Sequence, residues 1–192
     1  MQDSQLIKYL ESVSTVSNDL RQHLSEHVFV QFFSKGDRMP YLPPISNTVY
    51  FVDEGLLCGT KDGVKERTTL WFCAKDSLIL PAMLSVHKKY TERFEILMPT
   101  VLSAINIQYI INYLDVYPEL KRIGMIILDQ YISDLHSREL LLRMPAEERF
   151  ETCYRENPQY FVDSSNNYLA SYLRLSHRQF ARLKRRFFRS GT

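Results

Sequence analysis

Residues Ser164–Phe188, SSNNYLASYLRLSHRQFARLKRRFF, carry two short helical periods separated by a tight turn. Leu169 and Leu173 are spaced i, i+4, and Phe180 and Leu183 are spaced i, i+3. Each predicted helix therefore has one apolar face, with Ala170 and Leu175 as further inward positions. Ala170 is small where a second helix must cross closely. Ser176 followed three residues on by Gln179 has the spacing of a capping box, so a new helix starts at about His177. Two helices joined by a turn of three or four residues make a helix-turn-helix, although the turn holds Arg174 where glycine is usual. A non-glycine residue at positive φ costs about 1 kcal/mol.

Charge sharpens this reading. No Asp or Glu follows Asp163, whereas Arg174, Arg178, Arg182, Lys184, Arg185, Arg186 and Arg189 do. That end carries a net +7, while residues 1–163, with 17 basic and 22 acidic residues, carry −5. An acidic body with a compact cationic tip is the electrostatic footprint of a protein that touches nucleic acid. The bland alternative is an amphipathic helical hairpin with a solvated basic face.

A chain of 192 residues, 45% hydrophobic and 24% charged, is long enough for one or two packed domains. No run of about 18 apolar residues predicts a membrane span. The stretch MQDSQLIKYLES has neither the basic nor the apolar region of a secretory signal. Cys58, Cys73 and Cys153 are isolated and form no CxxC pair, which fits a reducing cytoplasm. His23 and His27 share a helical face, but no third ligand lies near them in sequence, so no metal site is expected. No Walker loop, GxSxG or HExxH occurs, and Asp53-Glu54 before Gly55 has the chemistry of a turn. No catalytic residue is assigned, and the chain is not expected to be an enzyme.

Towards the start of the chain the period changes twice. Gln5–Leu24 has helical spacing and predicts one or two short helices. Val28–Phe33, Thr48–Leu57, Arg67–Cys73, Glu92–Met98 and Val101–Ile107 are β-branched or aromatic runs. Between them lie turns at Ser34–Asp37 and Lys61–Gly63, and a break at Pro99, around which the last two runs are expected to pair. Pro40, Pro43 and Pro44 keep Tyr41–Ile45 out of a helix. Short strands at such intervals predict a small antiparallel roll or barrel. Ile107–Val116 is a short helix. Pro118 then opens a run without a breaker to Arg143, about 39 Å at 1.5 Å per residue. Leu120, Ile123, Gly124, Ile127, Tyr131, Leu135, Arg138 and Leu142 lie on one stripe of it, and Met125, Ile126, Leu128 and Ile132 broaden the stripe. A roll alone does not cover so wide a face, so these residues are expected to pair with a second copy. The alternative is a helix buried wholly in its own chain. Pro145 opens a further helix, with Glu147 and Glu148 suiting its dipole, and Asn157-Pro158 closes it.

This order of elements resembles the Crp/Fnr, or catabolite activator-like, transcription regulators over nearly the whole chain. The resemblance is carried by FFSKGDRM (Phe32–Met39), NTVYFVDEGLLCGTKDGVKERTTLWF (Asn47–Phe72), PAEERFETCYRENP (Pro145–Pro158) and NYLASYLRLSHRQFARLKRRF (Asn167–Phe187). The last two are similar to the version common in Bacteroidetes-type members. The resemblance implies an α+β fold: a cyclic-nucleotide-binding-like β-roll in 1–116, a long dimerisation helix in 117–143 and a DNA-binding helix-turn-helix in 144–192. It implies a homodimeric cytoplasmic regulator that binds palindromic double-stranded DNA; RNA polymerase is a further candidate partner, for a reading in which the last helices dock on a protein. By position, Ser176, His177, Arg178, Gln179 and Arg182 match the family's phosphate- and base-contacting residues. The sequence shows no β-wing after the second helix, so Lys184, Arg185 and Arg186 would supply backbone contacts.

Members that bind cyclic AMP carry a Gly-Glu pair and, some ten residues on, Arg followed by Ser or Thr. The matching region, KDSLILPAMLSVHKKYTERFEIL (Lys75–Leu97), has Ile79-Leu80 at the first place, and neither Ser nor Thr follows Arg93. A buried cyclic phosphate needs a charge-assisted partner. The expected effector is therefore not cyclic AMP, and no cofactor is expected. Arg93, Thr91, Lys88 and Lys89 would hold another anion, the alternative being a solvated loop. The competing function is a ligand-sensing or scaffold dimer whose last helices dock on a protein rather than on DNA.

Overall fold

The computed structural model describes residues 4–40, 47–63, 67–80 and 92–189. Two four-stranded antiparallel sheets face each other. The first runs β1 (Phe29–Phe33), β8 (Thr100–Asn106), β3 (Thr48–Glu54), β6 (Leu78–Ile79). The second runs β2 (Arg38–Pro40), β7 (Glu92–Ile96), β4 (Leu56–Asp62), β5 (Arg67–Ala74). The α+β architecture expected from the sequence is present: a roll, a long helix and a helical C-terminal group.

Two strand expectations are corrected. Thr48–Leu57 is not one strand, because Gly55, at φ +108°, turns the chain from β3 in the first sheet into β4 in the second. A Cβ there would lie 2.3 Å from Thr100 Oγ1, so the corner is closed to other residues. The runs on either side of Pro99 do not pair with each other: β7 pairs with β2 and β4, and β8 with β1 and β3. The turn expected at Lys61–Gly63 is also shorter on this side, because Gly59, Lys61 and Asp62 lie within β4, paired with Trp71, Thr68 and Arg67 of β5. Tyr41–Ile45, with Pro43 and Pro44, lies outside the described residues.

The roll is apolar on three surfaces. Between the sheets lie Tyr50, Val52, Leu57, Ile79, Phe94, Ile96, Leu102 and Ala104, with Trp71 and Cys73 against them. Outside the first sheet, Val49, Phe51 and Ile105 meet Leu6, Ile7 and Leu10 of α1 (Gln5–Val13) and Leu20 and Leu24 of α2 (Asn18–Ser25). Outside the second sheet, Leu56, Cys58, Phe72, Ala74 and Leu97 form one cluster with the C-terminal helices. β3 is buried from Thr48 to Val52 without alternation because both of its faces are covered.

After α3 (Ile107–Asn112), α4 spans Pro118–Arg143, the bounds that Pro118 and the uninterrupted pattern predict. Then come α5 (Ala146–Glu156), α6 (Pro158–Asp163), α7 (Asn166–Tyr172) and α8 (His177–Arg189). The sequence reading had no α6: Asn157-Pro158 closes α5, and the proline serves at once as the first-turn residue of the next helix.

Gly59 packs beneath Trp71, and a Cβ there would lie 2.0 Å from the indole. Gly59→Ala is expected to lower stability by about 1–3 kcal/mol through overpacking. A shift of the urea midpoint with unchanged m-value would show it.

Candidate nucleic-acid interface

The last two helices are held from below by aromatic packing. Phe180 and Leu183 of α8 are buried with Leu169, Ala170, Leu173 and Leu175, the six positions the spacing marks as inward. The Phe180 ring lies 5.4 Å from Phe150 and 6.1 Å from Phe161, and Phe187 lies 5.8 Å from Phe150. Such ring contacts fix the roll of α8 about its own axis as well as its depth.

The turn between the helices closes by backbone bonds. The Arg174 N–H donates to Ser171 O at 3.1 Å and the Leu175 N–H to Ala170 O at 2.8 Å. This is the paired pattern that ends a helix when the next residue turns left-handed. That residue is Arg174, at φ +49°, so the glycine position is filled by arginine. One residue later the capping box forms. The Gln179 N–H donates to Ser176 Oγ at 3.2 Å, and the Ser176 N–H donates to Gln179 Oε1 at 3.0 Å.

The outward face of α8 is polar and cationic. Ser176, His177, Arg178, Gln179, Arg182, Arg185 and Arg186 are exposed and Lys184 is half-buried. Not all of these groups are equally free. The Gln179 amide oxygen is held by the cap, Lys184 Nζ donates to Asn166 Oδ1 at 3.0 Å, and Arg186 pairs with Glu147 at 3.2 Å. Arg185 Nε donates to the backbone carbonyl of Ala181 at 3.3 Å. A groove of about 300 Å³ between α5 and α8 is lined by Glu147, Glu151 and Arg186 beside Phe150, Leu183 and Phe187.

Behind this face two arginines are partly buried. Arg138 of α4 lies with Cζ 3.9 Å over the Tyr172 ring, and Arg149 donates to Leu142 O at 2.8 Å. Burial lowers the pKa of both, and the Arg174 charge lowers it further. Sequence spacing placed Arg138 on the α4 stripe but gave no sign of its stacking, because the ring it meets is 34 residues away.

The other predicted sites are arranged differently. Of the α4 stripe, Leu120 and Ile123 are buried in their own chain with α1 and α2, and Ile127 packs partly against the same cluster. Gly124 and Leu142 are half-buried, and Tyr131 and Leu135 are exposed. Met125 and Ile132 are 72% and 63% exposed. Arg93 faces away from the interior of the roll, because Phe94 beside it is buried between the sheets; its Nη2 pairs with Asp62 Oδ2 at 2.9 Å. Thr91, Lys88 and Lys89 lie outside the described residues. Among the described residues no group of three His, Cys, Asp or Glu is placed to hold a metal, and no helix is long and apolar enough to cross a membrane.

No family model and no curated protein matches the chain. Solved structures do. FixK2 from Bradyrhizobium japonicum matches with a TM-score of 0.71 at 16% identity, over 85% of this chain and 86% of that chain. CooA from Carboxydothermus hydrogenoformans, in a mutant form, matches at 0.66 and 14%, over 100% and 87%. A protein assigned to the Crp/Fnr family of transcriptional regulators, from Eubacterium rectale, matches at 0.67 and 12%, over 92% and 85%. The fold is that of the Crp/Fnr regulators. The resemblance carried by the sequence motifs is thus met in three dimensions, by the roll, the long helix and the C-terminal helices together.

The turn and cap make opposite predictions. Arg174→Gly should raise stability by about 1 kcal/mol by removing left-handed strain, whereas Ser176→Ala should lower it by about 1 kcal/mol. Thermal and chemical unfolding of the two variants would check both signs.

Proposed function

We propose that the chain is a homodimeric, sequence-specific DNA-binding transcription regulator of the Crp/Fnr type. The observation that carries this reading is α8, whose apolar edge is fixed by Phe150 and Phe161 while its cationic edge stands in solvent. A rigid basic helix opening on a capped turn is what major-groove reading requires. In this reading residues 1–116 are the sensing roll, 117–143 the dimerisation helix and 144–192 the DNA-reading part, all working in the cytoplasm without catalysis.

His177, Arg178 and Arg182 read bases, arginine on guanine being the commonest bidentate contact. Gln179 is divided between its cap and the groove. Ser176, Lys184, Arg185 and Arg186 meet phosphates, with Arg186 exchanging Glu147 for the nucleic acid. The Met125–Leu135 stretch of α4 supports the dimer, since its exposed apolar residues lie along a helix long enough to space two reading helices about 34 Å apart on a palindrome. The effector is a small molecule other than cyclic AMP, since Arg93, the arginine closest to the expected phosphate position, is engaged by Asp62 on the outer face of the roll.

Arg182→Ala is expected to relax sequence preference at one base pair. Arg185→Ala should instead weaken binding to every duplex and reduce the salt slope by about 1. Mobility-shift titrations across salt on a selected palindrome and on random DNA separate the two; identical behaviour of the variants would refute the roles. Ile132→Glu places a charge in the α4 pairing face, so the variant should sediment as a monomer while the unmodified chain sediments as a dimer.

A further inference from the structure

Among the described residues the outer face of the second sheet carries one buried carboxylate, amid apolar residues. Glu95 is 2% exposed, on β7 next to Cys58 of β4. Burying a carboxylate is costly unless its oxygens are matched by donors. Here they are. Oε1 accepts from Arg67 Nη1 at 2.5 Å and from the Thr60 hydroxyl at 3.0 Å. Oε2 accepts from the Tyr168 hydroxyl, with Arg38 Nε at 3.7 Å. Three of these groups belong to the roll, and Tyr168 belongs to α7, the first helix of the helix-turn-helix. A roll that needed only to be packed here would carry an apolar residue at position 95.

A second bond runs beside the first. β5 is the edge of its sheet, and its Thr69 N–H donates to Ser171 Oγ of α7 at 2.9 Å. One turn of α7 therefore holds two polar anchors on the roll. One turn on from Tyr168, at the C-terminal end of α7, Tyr172 ties the same helix to α4, where Arg138 stacks on its ring. Burial first, and the bond to Glu95 second, push the Tyr168 phenol up to about 12, so it stays the donor.

We infer that Glu95 and Tyr168 are a positioning pair that sets where α8 stands relative to the roll, so that the reading helix meets DNA already oriented. This inference rests on the DNA-reading proposal above. The direction of the effect follows from exposure. With α7 docked, Arg178 and Arg182 remain in solvent, so docking does not occlude the reading face. Loosening it adds an ordering cost to binding and lowers affinity. The pair also communicates with the surface. Asp62 accepts from Arg67 Nε at 3.2 Å and pairs with Arg93 at 2.9 Å, which places Arg93, Asp62, Arg67, Glu95 and Tyr168 in one unbroken polar chain.

The test uses the full-length chain as Tyr168→Phe, Glu95→Gln and the double variant, with Leu10→Ala as a control that thins the core on the opposite sheet. Amide hydrogen exchange of Thr69 reports docking of α7, and titration with a selected palindromic duplex, well below the melting temperature, reports reading. Both single variants should speed Thr69 exchange and weaken duplex binding by roughly three- to tenfold, the double variant being no worse than the worse single, as expected of two groups acting as one unit. Leu10→Ala should lose stability with Thr69 exchange at that temperature and duplex affinity unchanged. Faster exchange with unaltered affinity would overturn the positioning role, and so would tighter binding, which would make the contact a restraint on reading. Unchanged exchange in both singles would overturn the docking role. If the unmodified chain bound no duplex, the proposed function would fall and the positioning role with it, whereas normal binding by the unmodified chain confines any failure to the pair.

Discussion

The outer face of the second sheet cannot be left in water. Leu56, Cys58, Phe72, Ala74 and Leu97 lie on it, and each fully buried large side chain among them is worth about 1.5–3 kcal/mol. The C-terminal helices cover this face, and their cluster runs without interruption from Phe72 through Tyr160 and Leu169 to Phe180. The position of α8 is thus a consequence of the roll's need for a lid. The same contact protects β5: an edge strand with free N–H groups invites foreign pairing, and α7 takes one of those groups through Ser171.

Against that apolar lid the polar details gain meaning. A strained arginine at the turn and two arginines with depressed pKa values behind it are an unfavourable accumulation of charge. Aromatic stacking on Tyr172 and backbone carbonyls hold these cations, with no ion pair to a carboxylate for Arg138, Arg149 or Arg174 among the described residues. Under the proposed function, three cations without a directly paired carboxylate among the described residues favour the approach of an anionic polymer to α8. The cysteines contribute only packing. Burial holds the Cys153 thiol at about 12 and Cys58 higher still, far from the thiolate that redox or metal chemistry requires.

How much of this was legible in the sequence depended on range. The six inward residues of the helix-turn-helix, its cap and the left-handed Arg174 are set within a few residues of one another, and each follows from spacing alone. The bounds of α4 follow from Pro118 and an unbroken pattern. Strand pairing does not have this property. Thr48–Leu57 is apolar throughout, so periodicity gave no sign that Gly55 divides it between two sheets, and the pairing of β7 with β4 rather than β8 depends on residues some 35 positions apart. Glu95 is the instructive miss. A lone carboxylate in RFEILM was visible, but its meaning lay in Tyr168, a residue counted as part of a helix rather than as a partner for a strand.

α4 joins these arguments. Its two ends are buried for different reasons, Leu120 and Ile123 against α1 and α2, and Leu141 in the cluster of the C-terminal helices. Between them Met125, Ile126, Leu128, Ile132 and Leu135 are exposed over about three turns. Exposed apolar residues at this density on one helix are what the proposed dimer would cover. Since the same helix is tied to α7 through Arg138 and Tyr172, the place of α8 depends on α4 as well as on the roll. The covered outer face of the roll and the Arg138–Tyr172 contact with α4 thus hold the last two helices together, a placement that neither contact supplies alone.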